Sequence, residues 1–514
     1  MFVAVMDMIE RYIQRHKNVI QLFLFNFVIL LIFWGGLAHN QYNADTVFYR
    51  YQETGAAINV RLEEGRYLLA LMNFLLPLFG INVAKRIGIT VLCNILLFCL
   101  TLIVMYDLLC SEDKVNWFHA LCVDLIFINV FASEMFMFAE TLFGFGFGYL
   151  FSALAVRAFC RKQYVRFVLY LCIGVCFYQY TIIIAAILLL FSVGKEERWQ
   201  LSGTAFFRSF FGSVTCLVVG FLNMESTKVL ACLGILSTEK VRNEQQVSLH
   251  ILDKLSDILN DMHVVLYDAK GLMIGAGVPL VVSLVTAGLL VIYVIRYRDW
   301  NRLVYVCLLT IVCFFLWSVL PLVRATYENP PRMSFSFFMI QGLFLLLTLQ
   351  LWGNLSEREE NKVKQQDKQT TTCLILTQSI IGAYVLVQLL SVQNIVNNRY
   401  ASQAIDETYV RLMYQRILDY EEESGINVTK LATCNDQSVS DYYREVSTAT
   451  DSINERVLGK ASWSIVCDVS GRLFERIDMD ADVYNCYFSG KNWDHLDLDQ
   501  QLVIREDTAY WCIY

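Results

Sequence analysis

Apolar blocks of helix length recur from about Asn18 to Leu390, separated by short polar gaps. This rhythm constrains the fold more than any other feature. A bilayer-crossing helix needs roughly 20 apolar residues, and in lipid the backbone must satisfy its own polar groups within such helices. Eleven candidate spans follow: 18–38, 87–109, 117–131, 141–159, 166–178, 179–194, 209–224, 271–295, 303–323, 333–353 and 372–393. Only 17% of the residues are charged, against about 25% for a soluble protein of ordinary composition. The expected fold class is therefore a polytopic α-helical membrane protein. Residues 166–194 form one apolar run, roughly 44 Å long as a helix at about 1.5 Å per residue. That is too long for one straight span and too short for two. The polar step Tyr178-Gln179-Tyr180-Thr181 marks a turn between two short helices meeting in a protein-lined cavity; one long tilted helix is the alternative.

Basic residues orient the chain. Arg11, Arg15 and Lys17 precede the first span, and later clusters sit at Arg157–Arg166, Lys195–Arg198, Arg296–Arg302 and Arg358–Lys368. With an inside N-terminus and eleven spans, every one of these clusters falls inside, as the positive-inside rule asks. The first block is too long for the apolar core of a signal peptide and lacks a small-residue cleavage site, so it reads as a signal anchor. The stretch Tyr67 to Ala84 is apolar but short, an interfacial or re-entrant helix. The loops 39–66, 132–140, 225–270 and 323–332 then lie outside, together with everything after residue 393.

Charge divides the chain at that point. Residues 394–514 carry 21 Asp and Glu against 11 Lys and Arg, a net of −10, whereas the whole chain is −7. Two domains are expected: 1–393, membrane-embedded, and 394–514, an extracytoplasmic soluble α/β domain. The acidic tail lacks the positive footprint that nucleic-acid binding needs. Gln403 to Glu423 has helical periodicity, with Ile405, Val410, Met413 and Ile417 on one side. Ser464–Val469 and Tyr510–Tyr514 read as strands. Cys434, Cys467, Cys486 and Cys512 allow two disulfides in three pairings, or four thiols.

Several constellations can carry chemistry. Asp45 lies a few residues after the first span, where a carboxylate can act as general base on a hydroxyl in a partly dehydrated site. Its alternative is a solvated or helix-capping aspartate. Glu63 and Glu64 adjoin Arg66, whose guanidinium can clamp a phosphate in a bidentate fashion; a salt-bridged interfacial loop is the plainer reading. Arg50 and Arg61 offer further cations nearby. Glu134 and Glu140 flank the next outer loop, and Glu140 faces the central cavity or is an ordinary loop acid. The alternation Gly144-x-Gly146-x-Gly148 sits inside an apolar span with no strand before it, so it reads as close helix packing. Arg324, Glu328, Pro330-Pro331 and Arg332 form a rigid outer loop that can hold a lipid phosphate or snorkel to headgroups. There is no GxxxxGK[ST], HExxH, CxxC or GxSxG, and no pair of His spaced as metal ligands. This disfavours ATP-driven transport and zinc chemistry.

The order of these features carries a resemblance. A first span is followed by an outer loop with Asn43-Ala44-Asp45, then Gly65-Arg66-Tyr67 before a short apolar helix. A mid-chain block GVCFYQYTIIIAAILLL and a tail with YFSGKNWD and a terminal Trp-Cys-Ile-Tyr complete it. Nearly the whole chain resembles the bacterial membrane glucosyltransferases first known for serotype conversion of O-antigen, within the GT-C class. The resemblance implies transfer of a hexose, typically glucose, from a polyprenyl-phosphate carrier to a cell-surface polysaccharide on the outer face of the bacterial inner membrane. It implies a key acid in the first outer loop, matched by Asp45. The family's doubled acid is Asn43-Ala44-Asp45 here, which leaves open whether Glu63 or Glu64 shares the base role. Arg66 matches the family's glycine-arginine step; Arg324 and Arg332 are further donor-phosphate candidates by position. Asn43, Glu140 and Gln179 are the candidate substrate-binding residues. Attack in line with the leaving phosphate would invert the anomeric centre. Nothing in the sequence requires a cofactor or metal, although a cation at the acid cluster stays open. A polysaccharide polymerase or ligase, and a lipid-linked sugar transporter without covalent chemistry, are the competing readings.

Overall fold

The computed structural model describes residues 2–39, 43–51, 54–110, 114–236, 252–323, 327, 329–360, 368–435, 457–491 and 496–513. Among them, eight helices are long and apolar enough to cross a membrane: Lys17–Ala38, Ile87–Leu109, Leu142–Cys160, Gly203–Cys232, Val278–Tyr297, Trp300–Leu322, Pro331–Gly353 and Gln369–Ser424. The protein is an α-helical membrane protein. The helices run, in chain order, α1 (Phe2–Trp34), α2 (Ala44–Tyr51), α3 (Thr54–Glu63), α4 (Tyr67–Leu78), α5 (Ile87–Leu109), α6 (Trp117–Asp124), α7 (Ala132–Met137), α8 (Leu142–Cys160), α9 (Tyr164–Phe177) and α10 (Thr181–Glu196). They continue as α11 (Gly203–Cys232), α12 (Leu255–Asp268), α13 (Val278–Tyr297), α14 (Trp300–Val323), α15 (Pro331–Ser334), α16 (Ser336–Glu360), α17 (Lys368–Ser424) and α18 (Val457–Ser470).

Three of the eleven expected spans are shorter than a crossing helix. The run 117–131 is helical only as α6, which stops at Asp124, because Asn129 offers the backbone an alternative. Its amide Nδ2 donates to the carbonyls of Leu125 (2.8 Å) and Ile126 (3.0 Å), while its Oδ1 accepts from the N–H groups of Phe131 (3.0 Å) and Ala132 (3.1 Å). Gln388 of α17 accepts a further N–H, from Val130, at 3.1 Å. Irregular backbone inside the bundle is tolerated where protein groups satisfy it in this way. The run 166–194 divides as its polar step indicates: α9 has 14 residues, α10 has 16, and the chain turns at Tyr178–Tyr180. Helix α10 is buried along almost its whole length. Helix α4, with 12 residues, is likewise too short to cross.

The glycine alternation lets α8 approach its neighbours closely. A Cβ on Gly146 would collide with the Asn94 side chain of α5, and one on Gly148 would lie 2.7 Å from Thr181 of α10. Small residues serve helix contact in this way inside membranes.

The bundle has two chemically distinct ends. At one, Arg157 pairs with Asp107 (3.0 Å), Lys195 donates to the Leu108 carbonyl (3.0 Å), Arg208 pairs with Glu196 (2.6 Å) and Arg302 donates to the Arg198 carbonyl (3.3 Å). The basic clusters at Arg157, Lys195–Arg198 and Arg302 therefore share one end, as the charge pattern requires. The opposite end carries α2, α3, the α7–α8 loop and the α9–α10 turn.

Helix α17 extends 57 residues, about 85 Å at 1.5 Å per residue. Val410, Met413 and Ile417 are fully buried on its distal part, and Ile405 is partly buried there. A four-stranded sheet packs at this end in the order β2-β1-β4-β3, with β1 (Lys430–Asn435), β2 (Glu475–Ile477), β3 (Leu502–Arg505) and β4 (Thr508–Ile513). Strand β1 runs parallel to β2 and β4, and β3 runs antiparallel to β4. The expected strand at Tyr510–Tyr514 is β4 over its described residues. The expected strand at Ser464–Val469 is instead the second half of α18. Its Ile465, Val466 and Val469 favour a strand, but the segment is the helix that follows a kink at Ala461, with Ser464, Ile465, Val466 and Cys467 all buried; tertiary packing overrides strand propensity here.

Ion pairs fix α18 and the segment after it against α17 and α2. Arg472 grips Glu421 of α17 with two parallel hydrogen bonds, 2.9 and 3.0 Å. Arg50 of α2 pairs with Asp468 of α18, whose other oxygen accepts from the Tyr51 hydroxyl at 3.2 Å. Arg50 Nε also donates to the Ala84 carbonyl at 2.8 Å. Arg50 is thus committed to holding α2. Asp468→Arg is expected to expose the segment after α2 to trypsin in detergent, and the double exchange Arg50→Asp with Asp468→Arg to restore protection. Equal cleavage of the single and double variants would show that the pair does not hold α2.

Candidate functional site

The α3–α4 turn is the centre of the site. Helix α3 ends at Glu63, and Gly65 takes a left-handed conformation with φ +73°. The N–H of Arg66 reaches back to the Arg61 carbonyl at 2.9 Å, closing the helix C-terminus as glycine caps do. Two amides then pin the turn. Asn223 of α11 donates to the Gly65 carbonyl at 3.0 Å, and Gln179 of the α9–α10 turn donates to the Glu64 carbonyl. A Cβ at position 65 would sit 3.1 Å from both amide groups.

Three charged side chains at and just before the turn, Arg61, Glu64 and Arg66, lie together. One oxygen of Glu64 accepts from Arg61 at 2.9 Å and lies 3.0 Å from Arg66. Arg66 Nε donates to Gln179 at 3.4 Å, and its guanidinium lies 5.1 Å from the centre of the Tyr178 ring. Arg61 is buried, stacks at 5.0 Å over Tyr49 of α2, and lies 3.8 Å from Glu140. Glu140, in the α7–α8 loop, is itself buried and accepts from the Thr46 hydroxyl at 2.7 Å. Burial lowers the Arg66 guanidinium's proton affinity, and Glu64 works against that shift. Burial pushes the Glu140 carboxyl above its ordinary range; Arg61 and the Thr46 hydroxyl oppose this, while Asp45 adds to it.

Asp45 stands on the first turn of α2 and is exposed. It does not cap that helix, because Asn43 does so through its Oδ1, which accepts from the Thr46 N–H at 3.1 Å. Asp45 still acts electrostatically on Glu140 and on Arg332. Arg332, in α15, pairs with the fully buried Glu134 through both its side chain and its backbone N–H, and lies 5.2 Å from the centre of the Phe138 ring.

The structure therefore brings together Asn43, Asp45, Glu64, Arg66, Glu140, Gln179 and Arg332 from five separate segments. Glu63 is half-buried at the end of α3 and takes no part in the contacts just described. Arg324 and Glu328 lie outside the described residues. Asn223, Thr46 and Tyr49 join the site although no motif in the sequence marks them. Asn223 is the one with a signal, since it is an asparagine within a long apolar helix. Among the described residues, no group of three or more His, Cys, Asp or Glu is arranged to hold a metal ion.

Chemically, the arrangement is a set of guanidinium donors held by buried carboxylates, with one exposed carboxylate at the rim. Such donors suit an anionic oxygen in a low-dielectric setting. No protein-family model, curated protein or solved structure matches this chain.

Two stability predictions follow from the geometry. Gly65→Ala must take a left-handed conformation and crowd both amides, so it is expected to cost ~1–2 kcal/mol or more, read as a lowered thermal midpoint in detergent. For Glu140, the raised folded-state pKa means the folded protein binds this proton more readily than the unfolded chain. The stability it contributes is complete below the ordinary carboxylate pKa and is lost as pH rises through the raised value. Glu140→Gln is thus expected to melt above the wild type at about pH 8 and to match it near pH 4. A lower midpoint at both values would contradict the assignment.

Proposed function

We propose that this protein is a membrane glycosyltransferase of the GT-C class that moves a hexose from a polyprenyl-phosphate carrier to a surface polysaccharide. The observation that carries the reading is the cluster of Arg61, Arg66, Glu64, Glu140, Gln179 and Tyr178 at one end of an apolar bundle, with exposed Asp45 at its rim. The resemblance to the serotype-converting glucosyltransferases, carried in part by the same Asp45 and Arg66, agrees with it. In this reading the end carrying the cluster faces the outside of the bacterial inner membrane, and the basic end faces the cytosol.

The roles follow from exposure and partners. Asp45 is open to an acceptor arriving from water, so we assign it as the base that takes the proton of the attacking sugar hydroxyl. Glu64 is occupied by two guanidinium groups, and we assign it to orienting them. A guanidinium has five N–H donors in a fork. Nε and Nη1 of Arg66 serve Gln179 and Glu64, which leaves Nη2 for the leaving phosphate; Arg332 is the second donor. As the sugar–phosphate bond breaks, charge grows on the phosphate oxygens, and donors already fixed in place stabilise it without reorganising.

A place for the lipid chain supports the same reading. A cleft of about 480 Å³ lies between α13, α14 and α16, beneath Met262 and Leu266 of α12. Leu284, Ala287, Val291, Phe314, Trp317 and Phe337 line it. Trp317 donates its ring N–H to the Ser334 carbonyl at 3.3 Å, two residues beyond Arg332.

The test is transfer by purified protein from a prenyl-phosphate-linked hexose. Asp45→Asn is expected to lower the rate constant by about 10²–10⁴-fold while membrane insertion stays normal. Arg66→Ala is expected to raise the donor KM by about ten- to a hundredfold. Unchanged transfer in Asp45→Asn would remove it as the base, and no transfer by the wild type from any prenyl-phosphate hexose would refute the function.

A further inference from the structure

Four cysteines after residue 393 allow three pairings, and the sheet selects one. Strands β1 and β4 run side by side in parallel, and Cys434 stands directly opposite Cys512 in their register. Neighbouring strands lie about 4.8 Å apart, within the roughly 4.4–6.8 Å between Cα atoms that a disulfide spans. Residues opposite one another in a sheet point to the same face. The packing agrees, because both cysteines join one apolar cluster with Val483 and Phe488. The other two cysteines are placed elsewhere. Cys467 is buried in α18 within the main core, and Cys486 is exposed on the segment 484–488.

We propose that Cys434 and Cys512 form a redox-sensitive pair that closes to a disulfide when an external dialkyl disulfide is present. All four are thiols in this structure. Cys434 is partly exposed and Cys512 buried, so the order of events is set by access. The Cys434 thiolate attacks one sulfur of the oxidant, forms a mixed disulfide and releases one thiol. The Cys512 thiolate then attacks the Cys434 sulfur, forms the internal bond and releases the second thiol. The two protein thiols are oxidised and the oxidant disulfide is reduced to two thiols, so electrons and protons balance. A bond here closes the stretch from β1 through α18 to β4. That stretch includes Asp468, the residue that holds α2 through Arg50. Cross-linking a long stretch restricts the unfolded chain and stabilises the fold.

The test uses the full chain in detergent, exposed to oxidised glutathione, quenched by alkylation and digested for mass mapping. Wild type, Cys434→Ser and Cys486→Ser are compared, with thermal unfolding measured on each. The expected result is one linked peptide pair carrying Cys434 and Cys512, short of two hydrogens, in the wild type and in Cys486→Ser. Their melting midpoints rise on oxidation, while that of Cys434→Ser does not. Glutathione on exposed Cys486 shows that the oxidant reached this part of the molecule. If Cys486 is then modified while Cys434 stays at the mixed disulfide, or links to a different cysteine, the proposal is overturned.

Discussion

One carboxylate oxygen of Glu64 serves two guanidinium groups, Arg61 at 2.9 Å and Arg66 at 3.0 Å, and the site depends on that sharing. Charge in a partly dehydrated space is costly unless it is paired and hydrogen-bonded. Arg61 and Arg66 are only five residues apart and would repel one another without it. The shared acid holds them close together while the fixed turn at Gly65 stops either from swinging out to water. Gln179 of the α9–α10 turn and Asn223 of α11 hold the backbone of that turn. The cations are therefore positioned by the bundle itself.

The same logic explains why α2 is held so firmly at a segment only eight residues long. Its successive side chains face different partners: Asn43 caps it, Thr46 binds Glu140, Tyr49 lies under Arg61, and Arg50 and Tyr51 reach Asp468. A helix this short has little intrinsic stability. It exists because the α7–α8 loop and α18 grip it from both sides. Asp45 rides on this element, so the residues after 393 influence where the rim carboxylate stands.

Much of this was legible in the sequence, and the misses are instructive. Helical membrane character, the turn at Tyr178–Tyr180 and the gathering of the basic clusters at Arg157, Lys195–Arg198 and Arg302 at one end follow from hydropathy and charge. Asp45, Glu64, Arg66 and Glu140 stood out because charge next to an apolar span is expensive. The interruption after Asp124 did not, because a single asparagine, Asn129, replaces the helical hydrogen bonds of an otherwise apolar run. Residues 464–469 read as a strand because Ile465, Val466 and Val469 are β-branched, and only packing in the core makes them helical. Asn223 was passed over because its partner, the Gly65 carbonyl, lies 158 residues away in sequence. Pairwise contacts of that range arise from packing and leave no local pattern.

The central claim is that the guanidinium cluster recognises the phosphate of a lipid carrier. The most direct measurement is equilibrium binding of a short-chain prenyl phosphate and of the matching prenyl alcohol to the purified protein in detergent. The phosphate is predicted to bind at least about tenfold more tightly, because charge-assisted hydrogen bonds are worth ~1.5–3 kcal/mol, and that advantage should shrink in Arg66→Ala. Equal affinity for phosphate and alcohol in the wild type would contradict the account.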